Sequence, residues 1–194
     1  MAELLSPFAG ERSGELAEVL KGRFGSLAQA LAAPPSELRE VGGRFGNACE
    51  MLVAAKTIVE AAQREQLQSV PVDPLNPQLL IYLRSRLCRA NEERLLVVFC
   101  DAEQRYLVDE EMGWGNDHQV RCDVSRLFKR ALTLDSSKIL LAHNHPSGDC
   151  RPSDDDVNST RQLALTAQVL GIKVVDHLIV TTDRAYSMRS GGRF

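Results

Sequence analysis

The chain has no paired cysteines. Cys49, Cys88, Cys100, Cys122 and Cys150 are scattered, and no two form a C-x-x-C unit. That spacing argues against a zinc-finger fold, and an odd, dispersed set of thiols points to a reduced, cytoplasmic setting. No apolar run approaches the roughly 18–20 residues needed to span a bilayer, so no membrane association is expected. The first residues, Met1-Ala2-Glu3-Leu4-Leu5-Ser6-Pro7, lack the basic and apolar regions of a signal peptide. Charge of one sign is missing too: the formal net charge over 194 residues is only −3. With 44% hydrophobic residues the chain can bury a core, and its length suits one medium domain plus a small one.

What the chain does have is one dense stretch, His143-Asn144-His145-Pro146-Ser147-Gly148-Asp149-Cys150-Arg151-Pro152-Ser153-Asp154-Asp155-Asp156. Lys138-Ile139-Leu140-Leu141-Ala142 before it reads as a buried strand, and the segment after it reads as an amphipathic helix. In a strand, residues i and i+2 share a face, so His143 and His145 can present both imidazoles to one ion. The loop rich in Pro, Gly, Ser and Asp turns sharply and delivers Ser153 and Asp156 to the first turn of the helix. Two imidazoles and one carboxylate give three protein ligands, the number found in catalytic zinc sites with an open fourth position. This donor set favours Zn2+ over iron or manganese. Ser153-x-x-Asp156 is equally a helix N-cap with acidic residues in its first turn. The two readings are compatible, because a capped turn holds a ligand rigidly. The dispersed HNH nuclease signature is a different pattern and does not apply.

His143-x-His145, seven residues, then Ser153-x-x-Asp156 resembles the JAMM motif of MPN-plus metalloproteases, and the fuller string is similar to the RadC-like branch of that superfamily. The resemblance runs from about Pro74 to Phe194. It includes the segments Glu93–Asp101, Leu127–Leu132 and Leu170–Val180. It implies an MPN domain in which His143, His145 and Asp156 hold zinc and Ser153 helps to stabilise the oxyanion. It also implies a glutamate ahead of the first long strand as general base. Glu92 and Glu93 both stand there, and alignment on Leu95–Asp101 favours Glu93 over Glu92. Asp176-His177 matches the family's D-H-L segment; His177 either orients a ligand imidazole or is a satisfied core histidine. His118 reads as a loop residue, Trp114 as a loop anchor or flap, Ser147 as a turn former and Cys150 as an incidental thiol.

Residues 1–66 read as all-helical, with helices over Glu11–Phe24, Leu27–Ala33, Ser36–Val41 and Gly46–Gln66. The layout resembles the helix-hairpin-helix module that precedes the metal domain in RadC-like proteins. Here the hairpin reads Val41-Gly42-Gly43-Arg44-Phe45-Gly46, with Arg44 where an apolar residue is expected. Seven basic residues stand against nine acidic ones in 1–66, whereas phosphate-binding domains carry a basic surplus. DNA binding is therefore weakly supported, and a structural or partner-docking module is the default. Residues 67–77 contain three prolines and read as a semi-rigid linker.

From residue 78 the pattern predicts helices at Gln78–Leu87, Val124–Leu134 and Asp154–Leu170. Strands are predicted at Arg94–Asp101, Gln104–Asp109, Gln119–Cys122, Lys138–His145, Ile172–Val175, Leu178–Val180 and Ala185–Met188. This mixture is α+β, with helices packed on one mixed sheet over residues 78–194. The leading function is a zinc-dependent hydrolase cleaving an amide or isopeptide bond of a peptide or protein. The alternatives are a DNA-associated RadC-like repair or recombination factor, and a non-catalytic MPN scaffold. Against the scaffold, all four motif positions are present.

Overall fold

The computed structural model describes residues 1–88, 92–116 and 119–194 and forms two compact units, Met1–Ala62 and Gln63–Phe194. The first contains α1 (Ala2–Ala9), α2 (Ser13–Phe24), α3 (Leu27–Ala32), α4 (Pro35–Gly42) and most of α5 (Gly46–Gln68). Sequence pattern predicts no helix before Glu11, yet α1 forms there, anchored by the buried Leu5 although Pro7 lies inside it. Leu16, Leu20, Leu38, Phe45 and Leu52 complete this core. Between α4 and α5 a 3-10 turn spans Gly43–Phe45. Phe45, not Arg44, fills the apolar place in that hairpin: Phe45 is buried and Arg44 lies outside. Arg44 and Arg12 both pair with Glu15, at 2.7 and 3.6 Å, and Arg39 pairs with Glu50 at 2.6 Å.

The second unit is a six-stranded mixed sheet with helices on both faces. Its elements are α6 (Pro77–Leu87), β1 (Glu93–Cys100), β2 (Tyr106–Asn116), β3 (Gln119–Cys122), α7 (Val124–Thr133), β4 (Lys138–Asn144), α8 (Asp154–Val169), β5 (Lys173–Val180) and β6 (Ala185–Ser187). Strand order is β3-β2-β1-β4-β5-β6. All neighbours are antiparallel except β4 and β5, which are parallel and joined through α8. β1 and β4 are covered on both sides, so they read as continuous apolar runs. Leu96, Val98, Leu140 and Ala142 pack with Leu79, Tyr82 and Leu83 of α6. The alternate residues, Leu95, Val97, Phe99, Ile139 and Leu141, pack with Leu127 and Phe128 of α7 and Leu163 and Ala167 of α8.

Two sequence expectations are corrected. Residues 67–77, read as a semi-rigid linker, are in part packed: Leu67 near the end of α5 lies in the sheet core, and Val72 is buried there, its N–H bonded to the Gln104 carbonyl at 2.8 Å. Ile172–Val175 and Leu178–Val180 are not separate strands but parts of the continuous β5. The polar pair Asp176-His177 suggested a break, but both side chains are buried with internal partners. Asp176 accepts from Ser187 Oγ (2.5 Å), the Arg189 N–H (3.0 Å) and the His177 N–H (2.7 Å). β2 also runs well past Asp109, because β1 and β3 pair with its extension.

A carboxylate also sits between α6 and β2. Asp109 is fully buried and accepts from Tyr82 Oη at 2.6 Å, from Tyr106 Oη and from Arg64 Nε at 3.2 Å, with Arg86 3.4 Å away. Burial first, then the adjacent carboxylate, pushes ionisation of Tyr82 up, so it remains a donor. Removing one partner of such a cluster leaves the others buried and uncompensated. Asp109→Ala is expected to lower the unfolding free energy by about 3–5 kcal/mol, measured by urea denaturation.

Candidate metal centre

Alternation along β4 sends His143 to the face of Ile139 and Leu141, the side on which α8 packs. Two residues later His145 follows, its N–H still bonded to the Val180 carbonyl at 3.1 Å. The connecting loop folds on itself. Gly148 takes a left-handed conformation (φ 83°) and its N–H reaches the His145 carbonyl at 3.1 Å. Ser147 Oγ accepts from the Asp149 N–H at 3.4 Å, the local turn bond expected for it. The Asp149 carbonyl then turns back to His145 Nδ1 at 2.7 Å.

Ser153 is the N-cap of α8, and Asp156 is its third residue. The Ser153 hydroxyl accepts from the Asp156 N–H (3.1 Å) and donates to Asp156 Oδ2 (2.6 Å); the Ser153 N–H donates to the same oxygen (2.8 Å). This is a reciprocal capping box, and it aims the Asp156 carboxylate at the histidines.

The two imidazoles and the carboxylate converge. His143 Nε2 and His145 Nε2 are 2.9 Å apart, and Asp156 Oδ1 is 3.3 Å from His143 Nε2. One ligand atom from each residue lies within 4.8 Å of the others. A tetrahedral zinc with bonds of about 2.0–2.1 Å holds neighbouring donors about 3.3 Å apart, so this triangle has the size of three tetrahedral corners. The donor chemistry fits as well. A carbonyl oxygen can only accept, so His145 Nδ1 carries the ring proton in the neutral imidazole and Nε2 is left with its lone pair. Lone pairs brought this close need a proton or a metal ion between them.

The ionisation tendencies agree with that frustration. Burial first, then the neighbouring His177, lowers His143 well below the ordinary histidine value. Burial alone would lower His145 too, but its hydrogen bonds to Asp156 and Asp149 outweigh it and raise the group. Burial works to raise Asp156, and the His145 bond, the His143 charge and Ser153 overcome it, holding the carboxyl below the usual range. Burial brings His177 down to about 4.

Glu93 begins β1, buried, with Oε1 3.9 Å from His145 Nε2. Glu92 is exposed. Sequence reading passed over the residue that fixes this end of β1. Asn144 is buried between the two histidines; its Oδ1 accepts from the Arg94 N–H (2.8 Å) and its Nδ2 donates to the Glu92 carbonyl (3.0 Å). One amide thus grips the backbone on both sides of Glu93. The available signal was a polar residue at a buried strand position. Thr160 of α8 was also passed over; its Oγ1 lies 2.6 Å from His177 Nδ1, and His177 Nε2 lies 2.7 Å from His143 Nδ1. His118 and the side chain of Trp114 lie outside the described residues. Beside the donor triangle a cavity of about 530 Å³ is lined by Leu95, Val124, Leu141, Asp156 and Leu163, among others.

A mixed sheet flanked by helices, with a His-His-Asp group that can hold a metal at the end of its parallel strand pair, defines the class. Residues 76–193 match the family model described as the RadC-like JAB domain. The chain is 37% identical to a UPF0758 protein of Rhodobacter capsulatus over 181 residues, 91% of this chain and 83% of the relative. It is 30% identical to UPF0758 protein Reut_A2732 of Cupriavidus pinatubonensis (strain JMP 134 / LMG 1197), over 98% of this chain and 86% of the relative. The chain therefore belongs to the RadC-like JAB domain family. Among the described residues no helix is long and apolar enough to cross a membrane.

The cap on α8 can be tested apart from any metal. Ser153→Ala in the metal-free protein is expected to cost about 1 kcal/mol of stability, seen as a lower denaturation midpoint; an unchanged midpoint would show that the box contributes nothing.

Proposed function

We propose that the protein is a zinc-dependent hydrolase of the JAMM metallopeptidase type, acting on an amide or isopeptide bond of a peptide or protein. The observation that carries this reading is the triangle of His143, His145 and Asp156, whose lone-pair donors face one another at tetrahedral spacing. These three residues would hold the ion. Zinc bound there supplies a Lewis acid for the scissile carbonyl and lowers the pKa of water toward ~7.

The chain's own residues would do the rest. Glu93, whose Oε1 lies 3.9 Å from His145 Nε2, would take a proton from the attacking water and return it to the leaving amine. Asn144 holds the strand end that carries it. Ser153 is assigned a divided role. Its proton is engaged by Asp156 Oδ2, so donation to an oxyanion requires that proton to rotate away from the carboxylate. The adjacent cavity, apolar at Leu95, Leu141 and Leu163 and acidic at Asp155 and Asp156, offers room for a substrate side chain. In the first unit, Arg12, Arg23, Arg39 and Arg44 are all within 4.0 Å of glutamates, which leaves little unopposed positive charge for a phosphate backbone.

Protein purified without added metal is expected to contain about one zinc per chain, measured by elemental analysis, and to lose it in His143→Ala/His145→Ala. Absence of zinc in the wild type, even after reconstitution, would reject the reading. Glu93→Gln should retain zinc and lose peptidase and isopeptidase turnover; unchanged turnover would move the base to Glu92 or elsewhere.

A further inference from the structure

Behind His143 stands a second imidazole for which the proposed reaction has no use. His143, His177, Thr160 and Met188 are all buried, and they touch in series. His143 Nδ1 meets His177 Nε2 at 2.7 Å, and His177 Nδ1 meets Thr160 Oγ1 at 2.6 Å. Thr160 Oγ1 also lies 3.9 Å from Met188 Sδ, a second acceptor within reach of its hydroxyl proton.

Two neutral imidazoles in such a contact share one proton, and the series can be filled in two directions. In one, His143 Nδ1–H donates to His177, His177 Nδ1–H donates to Thr160, and the hydroxyl proton turns to the Met188 sulfur. His143 Nε2 is then bare where it faces His145 and Asp156. In the other direction every proton is reversed, and His143 Nε2 carries a hydrogen that prevents it from ligating. Because Met188 Sδ gives the hydroxyl proton an acceptor other than His177, Thr160 can offer His177 a lone pair, as the first direction requires.

We infer that His177, seated on Thr160, is a positioning residue that holds His143 in the Nδ1–H tautomer and thereby presets Nε2 as a metal donor. The inference rests on the metal-site reading above. The same task is done for His145 by a backbone carbonyl, that of Asp149. A carbonyl fixes a tautomer by itself because it can only accept; an imidazole can do so only if its own far nitrogen is committed, and Thr160 commits it. Partners of this kind typically change metal affinity by 10–100-fold.

The test measures zinc affinity of the metal-stripped full chain by competition with a chelator, alongside long-range 1H–15N spectra of the histidine rings. His177→Leu is expected to weaken zinc binding by roughly 10–100-fold and to move the His143 proton to Nε2. His177→Gln, whose amide oxygen can accept the His143 proton, should bind zinc much as the wild type does. Thr160→Val should show a smaller loss in the same direction, and it carries the test if His177→Leu does not fold. Unchanged zinc affinity in His177→Leu, with only a lower melting temperature, would overturn the inference and leave the metal site standing. A wild type that binds no zinc, yet whose His143 tautomer depends on His177, would reject the metal reading and support the tautomer assignment.

Discussion

Three side chains that could hold one metal ion, His143, His145 and Asp156, converge where β4 ends and α8 begins, and the surrounding contacts keep them together. His143 Nε2 and His145 Nε2 at 2.9 Å repel unless a proton or an ion lies between them. Each is restrained from behind: His145 by the Asp149 carbonyl, His143 by His177. The remaining restraint is burial, which keeps water from relieving the contact at His143.

The same constraint explains the sheet's layout. β4 is central, paired antiparallel to β1 and parallel to β5. The antiparallel partner brings Glu93 alongside, and the parallel partner brings His177. The crossover between the parallel strands is α8, so the helix that buries Leu163 and Ala167 over the sheet also begins where Asp156 is needed. Open α/β sheets place their binding crevices at the carboxyl ends of parallel strands, and the candidate site here lies at that end of the single parallel pair.

Much of this was legible in the chain itself. The His-x-His spacing, the Pro- and Gly-containing loop and Ser153-x-x-Asp156 specify a strand, a turn and a capped helix, each by local rules, and the structure brings the three donors together. What could not be read is long-range. The pairing of β4 with β5 shifts register between Ile139 and Leu140, where an extra residue enters β5. The shift reverses the alternation, so Val174 and His177, three residues apart, both face α7 and α8. Strict period two would have sent His177 to the side of α6. Asp176 fixes the distorted stretch through Ser187 and Arg189, residues that sequence distance hides. Asn144 escaped notice for a related reason. Its partners are backbone groups of residues about fifty positions earlier, which no side-chain pattern announces. The buried Val72 in a proline-rich stretch shows the converse, that a composition typical of linkers does not prevent packing.

Asp156 shows how a structural motif and a ligand position can be the same object. Its Oδ2 takes two hydrogen bonds from Ser153, one from the hydroxyl and one from the backbone. Oδ1 is the atom turned toward His143 Nε2. Oδ2 also lies 3.6 Å from His145 Nε2, but with its lone pairs engaged by Ser153, Oδ1 is the freer oxygen for a metal, and one atom from each residue would make three donors in all. Were a tetrahedral ion bound, three donors would leave it one open position, the count of catalytic rather than structural zinc sites. The capping box, which any helix can use for stability alone, here also orients the carboxylate that would be the third ligand. At Ser153 the two roles are only partly coupled, because loss of the hydroxyl would remove the cap on the Asp156 N–H yet leave the backbone N–H on Oδ2.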